Sequence, residues 1–311
     1  MTIVGQSVAP APAAPGPEGA PSVSRRLQNR IAPYVMLFPG TIWLVIFFVL
    51  PMVTMLSLSL QQGDDVSGFT MTWHWQVYVD MFRDYRGQIV RSLEYGVAST
   101  VIQILIAYPI GYWLAFRANP ARKSQYLFLL LLPYFVSYVL RTRSWQFILS
   151  DNGMVVGTLK DWHLVPQDFH ILATAPAVIG GLTYNYLPFM VLPIFVALER
   201  IDPRLLEAAY DLYATRIRAF WKVIFPLSLP GIFAGVVITF VPVSSDFYNA
   251  SVLGGPGNTM IGNVIQNQFL QFGHYPQASA LAFMLMAILL VSIFAYARAL
   301  GTEDVLQAAA R

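Results

Sequence analysis

Residues 223–245 read VIFPLSLPGIFAGVVITFVPVSS and contain no Asp, Glu, Lys or Arg. A helix that rises 1.5 Å per residue needs about 20 apolar residues to cross the hydrocarbon core of a bilayer, so this stretch is long enough. Five further apolar runs without these charged residues cover 31–63, 95–116, 124–140, 169–198 and 278–297. The sequence therefore predicts an all-α integral membrane protein with six transmembrane helices.

The composition also indicates a membrane protein. Hydrophobic residues make up 56% of the 311 residues and charged residues only 11%, against about 25% charged residues in typical soluble domains. The net charge of +3 is too small to indicate binding to nucleic acid. The expected environment is the lipid bilayer.

Residue types that support metal or enzyme chemistry are scarce or scattered. The chain has no cysteine, which excludes disulfide bonds and thiolate metal sites. Its four histidines are not spaced so that two would share one helical face, and no Ser/His/Asp arrangement is evident. We therefore predict no metal site, no catalytic residues and no enzymatic activity in this chain.

Lysine and arginine are distributed unevenly between the two sets of loops that six spans create. Thirteen lie in the N-terminal tail, after the second and fourth spans and at the C-terminus, whereas six lie in the opposite loops. Because loops rich in Lys and Arg stay on the cytoplasmic side, we predict that both termini are cytoplasmic.

The two ends of the chain differ from its centre. Residues 1–24 are rich in Ala, Pro, Gly and Ser and have almost no large apolar residue, which is too little apolar surface to fold. We predict a disordered cytoplasmic tail over 1–30, a transmembrane domain over 31–300 and a cytoplasmic C-terminal tail over 301–311. Prolines inside most of the predicted spans suit a transporter better than a simple anchor, since the carbonyls they free can line a cavity.

A polar segment between the fourth and fifth spans, ERIDPRLLEAAYDLYATRIRAFWKVIFPLSLPGI (199–232), carries strong helix signals. Asp202 is a good N-cap and Pro203 suits the first helical position, and a second helical pattern runs to Pro226. We predict two short helices. One face of the first carries Leu205, Ala208, Ala209 and Leu212. This small apolar face suits the docking of another protein; the alternative is a surface helix that packs on the chain's own spans.

The same segment, over 199–228, resembles the EAA loop of binding-protein-dependent ABC importer permeases. The family pattern is Glu-Ala-Ala, three residues, Gly, nine residues and then Ile-x-Leu-Pro. Glu207, Ala208 and Ala209 match it, and residues 223–226 stand at the right distance with conservative replacements. Tyr213 occupies the glycine position. Since tyrosine resists a positive φ, we expect that the bend between the two helices is built differently here or that coupling is weakened.

Further similarity extends over most of the membrane portion. The similar stretches are 141–145, 151–153, 186–193, 253–257, 261–263 and 265–269. Together they resemble the spermidine/putrescine branch of the family, the PotB and PotH type. The resemblance implies the type I ABC importer permease fold, location in the bacterial cytoplasmic (inner) membrane, and transport of polyamines or a similar small polar solute.

The resemblance also implies partners. They are a second related permease subunit, an ABC ATPase dimer and an extracytoplasmic solute-binding protein. The residues implied to couple this chain to the ATPase are Glu207, Ala208, Ala209, Asp211, Leu212 and Tyr213. The chain has no G-x-x-x-x-G-K-[ST] phosphate loop, so we expect no cofactor in it, and ATP and Mg to bind to the partner ATPase.

Asp246, at the outward end of the fifth predicted span, is a candidate for the solute pathway. A carboxylate near a membrane usually faces protein or a cavity, and aromatic faces attract cations. We therefore expect Asp246, with Tyr248, Tyr184 or Tyr186, to attract an ammonium group. The alternative is that Asp246 is solvated or paired with Arg141 or Arg143 and has only a structural role.

Arg141 and Arg143, with nearby Trp145, follow the third predicted span. They are expected either to reach the lipid headgroups or to contact the solute-binding protein.

Two rival functions remain open at the level of sequence. The same kind of importer can carry ferric iron, an opine or an amino-acid derivative, because the binding protein largely imposes selectivity. A stand-alone channel or secondary carrier is the other alternative, but the docking segment and the scarcity of acidic residues within the spans disfavour it.

Overall fold

The computed structural model describes residues 37–64 and 68–299. The predicted tails, 1–30 and 301–311, lie outside these residues. The helices are α1 (Leu37–Ser59), α2 (Gln76–Phe116), α3 (Lys123–Leu131), α4 (Tyr138–Leu149), α5 (Val156–Asp161), α6 (Ala175–Glu199), α7 (Pro203–Asp211), α8 (Arg216–Ser244), α9 (Tyr248–Leu253), α10 (Ile261–Gln266) and α11 (Tyr275–Ala299). A hairpin of β1 (Gln61–Asp64) and β2 (Gly68–Met71) follows α1, with antiparallel pairing.

Five helices within the described residues, α1, α2, α6, α8 and α11, are long and apolar enough to cross a membrane. A sixth span is present if α3 and α4 are taken together as one span. A short break separates these two helices, and the angle between them is 86°. The all-helical, six-span prediction is confirmed in this form.

The third predicted span is not a straight helix. After α3 the chain forms a 3₁₀ turn over Leu132–Phe135 that contains Pro133, and Val136 is extended. Proline lacks the N–H that an α-helix needs at this position, and this favours a break. As a result Arg141 and Arg143 lie within α4, in the second limb of the span.

The chain divides into two units, Met1–Thr54 and Met55–Arg311. In the first, the described residues form the greater part of α1, with a π-helical turn over Val45–Val49 ahead of Pro51. Its large apolar side chains are exposed, for example Trp43 and Phe47. This surface is suited to lipid or to another membrane helix.

In the second unit, α2, α6 and α8 form the centre of the core. Met190, Ile194 and Leu198 of α6 are fully buried. Glycines on α8 allow the two backbones to approach closely: a Cβ added at Gly231 would lie 2.4 Å from the Cβ of Ala197, and one at Gly235 would lie 2.6 Å from the Sδ of Met190. Small residues at a crossing are the usual means of close helix packing in membranes.

A tyrosine hydroxyl replaces a backbone hydrogen bond of α6 that a proline cannot make. Pro188 has no N–H to donate to the carbonyl of Tyr184, one turn earlier. The Tyr134 hydroxyl donates a hydrogen bond to that carbonyl instead. This bond attaches the 3₁₀ turn between α3 and α4 to α6, and it shows how a carbonyl freed by proline is satisfied away from water.

Lys123 attaches the start of α3 to the ends of α2 and α6. Its ammonium group lies 3.0 Å from the Glu199 carboxylate and 3.1 Å from the carbonyl oxygen of Ala115. These contacts join α2, α3 and α6 at one end of the core, shortly before α7 begins at Pro203.

Candidate functional site

Asp246 lies just beyond the end of α8 and is only 7% exposed. One carboxylate oxygen, Oδ2, accepts hydrogen bonds from the hydroxyls of Tyr138 and Tyr186, the latter at 3.3 Å. The other, Oδ1, accepts from the backbone N–H of Asn249 at 2.8 Å, in the first turn of α9. Burial raises the pKa of the Asp246 carboxyl above its ordinary value, while the hydrogen bonds from Tyr138 and Asn249 oppose that shift.

No cation neutralises Asp246 within the described part of the chain. The ion pairs found among residues 37–64 and 68–299 are Lys123–Glu199 and Lys160–Asp151. Arg143 instead donates to the Gln146 side chain at 2.8 Å. The alternative in which Asp246 pairs with Arg141 or Arg143 is therefore wrong for this structure.

Tyrosine rings surround the Asp246 carboxylate on one side. The ring of Tyr138 lies 5.9 Å from that of Tyr248 and 6.4 Å from that of Tyr186, measured between centroids. Two of the predicted tyrosines, Tyr186 and Tyr248, are thus brought together, and Tyr138 joins them. A carboxylate among aromatic faces is the arrangement that attracts an organic ammonium group. We call Asp246, Tyr138, Tyr186 and Tyr248 the tyrosine cage.

Tyr184, the remaining predicted tyrosine, belongs to a neighbouring aromatic cluster. Its ring lies 5.3 Å from Trp145 and 6.4 Å from Tyr134. The guanidinium of Arg141 lies over the Tyr134 ring, 4.1 Å from its centroid. In the described residues, Nε and Nη1 of Arg141 are buried and have no hydrogen-bond partner. Arg141 therefore points into protein rather than toward lipid headgroups.

A buried row of polar side chains continues from the tyrosine cage between α4, α6 and α9. The Asn185 amide donates to the Thr142 hydroxyl at 3.2 Å, and the Thr142 hydroxyl lies 3.5 Å from Oδ1 of Asn249. The amide of Asn249 donates in turn to the Tyr138 hydroxyl. Thr142, Asn185 and Asn249 are each at most 1% exposed. Polar side chains buried between membrane helices hydrogen-bond across them, so this row joins α4, α6 and α9 beside Asp246.

The sequence interpretation missed Tyr138, Thr142, Asn185 and Asn249. One signal was available: Tyr138 and Thr142 are four residues apart, so they share a face of α4. The break before α4 concealed it, because the predicted third span ended at residue 140 and divided that face.

The segment between α6 and α8 begins as predicted. The Asp202 side chain accepts a hydrogen bond from the Arg204 N–H at 2.9 Å, with Pro203 at the first helical position of α7. α7 rests on the spans through Leu206, which packs against the core. The predicted small face is largely open instead: Leu205, Ala208 and Leu212 are exposed. α7 is thus a surface helix that packs on the chain's own spans through Leu206, while the predicted docking face is left open; its docking to another protein stays a prediction.

Tyr213 takes a left-handed backbone conformation, with φ of 59°. Its N–H donates to the carbonyl of Tyr210 at 2.9 Å, and the N–H of Ala214 donates to the carbonyl of Ala209 at 3.0 Å. These two bonds form a Schellman motif. In this motif the residue that follows the C-cap, here Tyr213, takes the left-handed conformation and is usually glycine. The expectation that the bend is built differently is thus wrong, and tyrosine takes the glycine conformation at a cost of roughly 1–2 kcal/mol.

The second short helix is also different from the prediction. It starts at Arg216, with the Thr215 hydroxyl accepting from the Arg218 N–H at 3.3 Å. It does not stop at Pro226 but continues into the fifth span as α8. A π-helical turn over Phe220–Ile224, with Phe225 donating to the carbonyl of Phe220, carries the chain past the proline. Only the short connection 212–215 therefore separates α7 from a membrane-spanning helix.

Residues 107–300 match the family described as "Binding-protein-dependent transport system inner membrane component". The chain belongs to this family. The match covers every part of the tyrosine cage and of the α7 segment, so the chain is a permease subunit, a transport component of an ABC transporter in the inner membrane. The predicted family resemblance is confirmed.

Curated relatives are similar along most of their length. The chain is 34% identical to the "Spermidine/putrescine transport system permease protein PotB" of Haemophilus influenzae over 258 residues, which are 83% of this chain and 90% of that protein. It is 33% identical to the PotB protein of Escherichia coli strain K12 over 258 residues, 83% and 94% of the two chains.

The fold is similar to that of a solved importer. A chain of a crystallised bacterial ABC transporter "involved in the import of the acidic polysaccharide alginate" superposes with a TM-score of 0.70 over 89% of this chain and 99% of that one, at 21% identity. At this identity the likeness establishes the fold alone, and it confirms the predicted permease fold.

Proposed function

We propose that this permease carries polyamines such as spermidine or putrescine, or a similar small cationic solute, inward across the membrane. The observation that carries the proposal is the buried Asp246 carboxylate, which is held by tyrosine hydroxyls and has no cationic partner among the described residues. The names of the PotB relatives agree with a solute of this class.

The tyrosine cage is suited to a cation that must leave again. An ammonium group approaching Asp246 would exchange hydrogen bonds with Tyr138 or Tyr186 and would lie against the faces of the tyrosine rings. Because neutral donors already satisfy the empty carboxylate, the loss of the solute leaves no bare charge behind. Binding is thereby kept moderate, as transport requires.

The energy for transport is proposed to come from a partner ABC ATPase dimer that binds ATP and Mg. α7 is proposed to be the element that receives its motion, and the exposure of Glu207, Ala208 and Asp211 supports this. The continuous path from α7 through Arg216 into α8 supports this, because α8 ends beside Asp246. A second related permease and a solute-binding protein complete the proposed assembly, with both termini in the cytoplasm.

Replacement of Asp246 by asparagine tests the proposal. Asp246→Asn removes the charge but keeps the size, so spermidine uptake into cells that express the whole transporter should fall about tenfold or more, the equivalent of one charge-assisted hydrogen bond. Asp84→Asn, an exposed acid on α2, is the matched control and should transport normally. Equal uptake by wild type and Asp246→Asn, at equal amounts in the membrane, would refute the cation site.

A second candidate solute is an amino-acid derivative that carries both an ammonium group and a carboxylate. It is favoured by the unpartnered Nε and Nη1 of Arg141, which could receive the carboxylate. Competition of labelled spermidine uptake by a panel of diamines and amino-acid derivatives distinguishes the two, because only zwitterions should lose potency in Arg141→Gln.

A further inference from the structure

Tyr213 is an unusual residue for its position when this chain is considered alone. Its side chain is 93% exposed, the highest value among the large apolar and aromatic residues that the structure describes as exposed. Its φ of 59° lies where an L-residue with a Cβ is disfavoured and where glycine or asparagine is usual. A small residue such as glycine would expose less apolar surface and would fit the left-handed backbone better.

Nothing in the described residues compensates for these two disadvantages. The Tyr213 hydroxyl has no hydrogen-bond partner there, and its ring contacts no other aromatic ring. Only its backbone is engaged, through the bonds of the Schellman motif, and these would form equally well with glycine. An advantage of tyrosine must therefore lie in a contact outside this chain.

Tyr213 has other exposed apolar residues close to it in the chain. Leu212 is 82% exposed and Ile217, just after the bend, is 73% exposed. Charged residues of both signs, Asp211 and Arg216, lie next to these residues in the chain and are exposed as well. An exposed aromatic among exposed aliphatic residues, with charges at the rim, is the composition of the energetically dominant part of a protein interface.

We propose that Tyr213 is an aromatic anchor that inserts into an apolar notch of the partner ATPase and determines which ATPase this permease accepts. This inference rests on the proposed function, which assigns the α7 surface to the ATPase. An ATPase shaped for glycine at this position would meet the tyrosine ring with a filled surface, so the same residue that binds the matching partner excludes others. Tyr213 is thus a specificity-determining residue of the coupling surface.

The test measures retention of the ATPase by the full-length permease complex in detergent, and the ATP hydrolysis of that complex. Tyr213→Gly and Tyr213→Asn both suit the left-handed backbone, so α7 should remain folded while the ring is lost. Each should weaken retention by at least about tenfold, the effect of removing an interface hot spot. Tyr213→Phe keeps the ring and should behave as wild type.

Met154→Gly removes an equally prominent apolar side chain, 82% exposed, at a site far from α7 in the sequence and should not change retention. If wild type and Tyr213→Gly retain the ATPase equally, the anchor is refuted while the proposed function stands. If wild type retains no ATPase under any nucleotide condition, the proposed function itself fails and the anchor with it.

Discussion

The tyrosine cage and the α7 segment are built on opposite principles. In the cage, both oxygens of the Asp246 carboxylate are hydrogen-bonded by the same chain, and Asp246 is buried among half-buried tyrosines. In the α7 segment, the apolar side chains of Leu212 and Tyr213 are open, and a strained residue has no internal compensation. The difference is the one expected if the proposed solute site is largely preorganised within this chain and the proposed coupling site is completed by a partner.

The largest effect is expected from a charge reversal on α7 that leaves the cage unchanged. Glu207 is exposed on the same helix as the open face. Glu207→Lys should reduce uptake to background, because a charge reversal at a contact creates repulsion as well as removing attraction. Membrane insertion and solute binding by the purified complex should be normal. Normal uptake by Glu207→Lys would remove α7 from the coupling role.

The complementary change removes one hydroxyl from the cage. Tyr138→Phe keeps the ring but deletes the hydroxyl that donates to Asp246 and accepts from Asn249. We expect a loss of about five- to tenfold in apparent affinity for spermidine, since one hydrogen bond is lost next to a charge. Retention of the ATPase should not change. A Tyr138→Phe protein with normal affinity but poor ATPase retention would invert the assignment of the two sites.

The sequence predicted the helix α7, on which Glu207 lies, but it did not predict the role of Tyr138. The start of α7 was predictable because Asp202 and Pro203 act locally, through one N–H and one fixed φ. Tyr138 was not, because its role depends on contacts with Asp246 that lie 108 residues away in the chain. Long-range contacts between spans leave no periodic signal in a single sequence.

Tyr213 shows a second reason why the sequence alone did not predict the local conformation. The preference of tyrosine for a negative φ is real, but the two hydrogen bonds that close the end of α7 outweigh it. The same is true of Pro226, whose missing N–H is accommodated by a π-helical turn rather than by the end of a helix. In both cases a residue preference was correct and the surrounding hydrogen bonds decided the conformation.

A smaller effect is expected from the buried polar row beside the cage. Thr142→Val replaces the hydroxyl that accepts from Asn185 with a methyl group of similar size. The Asn185 amide would lose this partner in a buried place, at a cost of about 1–3 kcal/mol in the free energy of unfolding. A lower melting temperature of the purified complex, with ATPase retention intact, is the expected result. An unchanged melting temperature would show that Asn185 is satisfied in another way.

The smallest effect should come from the N-cap of α7. Asp202→Ala removes the acceptor of the Arg204 N–H and should cost about 1 kcal/mol of local helix stability. Because α7 is proposed to contact the ATPase, a less stable helix should weaken retention by about fivefold while spermidine affinity is unchanged. Asp202→Ser, which restores a capping oxygen, should recover retention. If Asp202→Ser is as weak as Asp202→Ala, the effect is not due to capping.

The most direct test of the account is solute-stimulated ATP hydrolysis by the complete transporter in lipid nanodiscs, with solute-loaded binding protein present. Wild type should be stimulated by spermidine. Glu207→Lys should show little ATP hydrolysis with or without solute, and Asp246→Asn should keep its basal ATP hydrolysis but lose the response to spermidine. Full stimulation of Asp246→Asn by spermidine would contradict the claim that the tyrosine cage is the cation site.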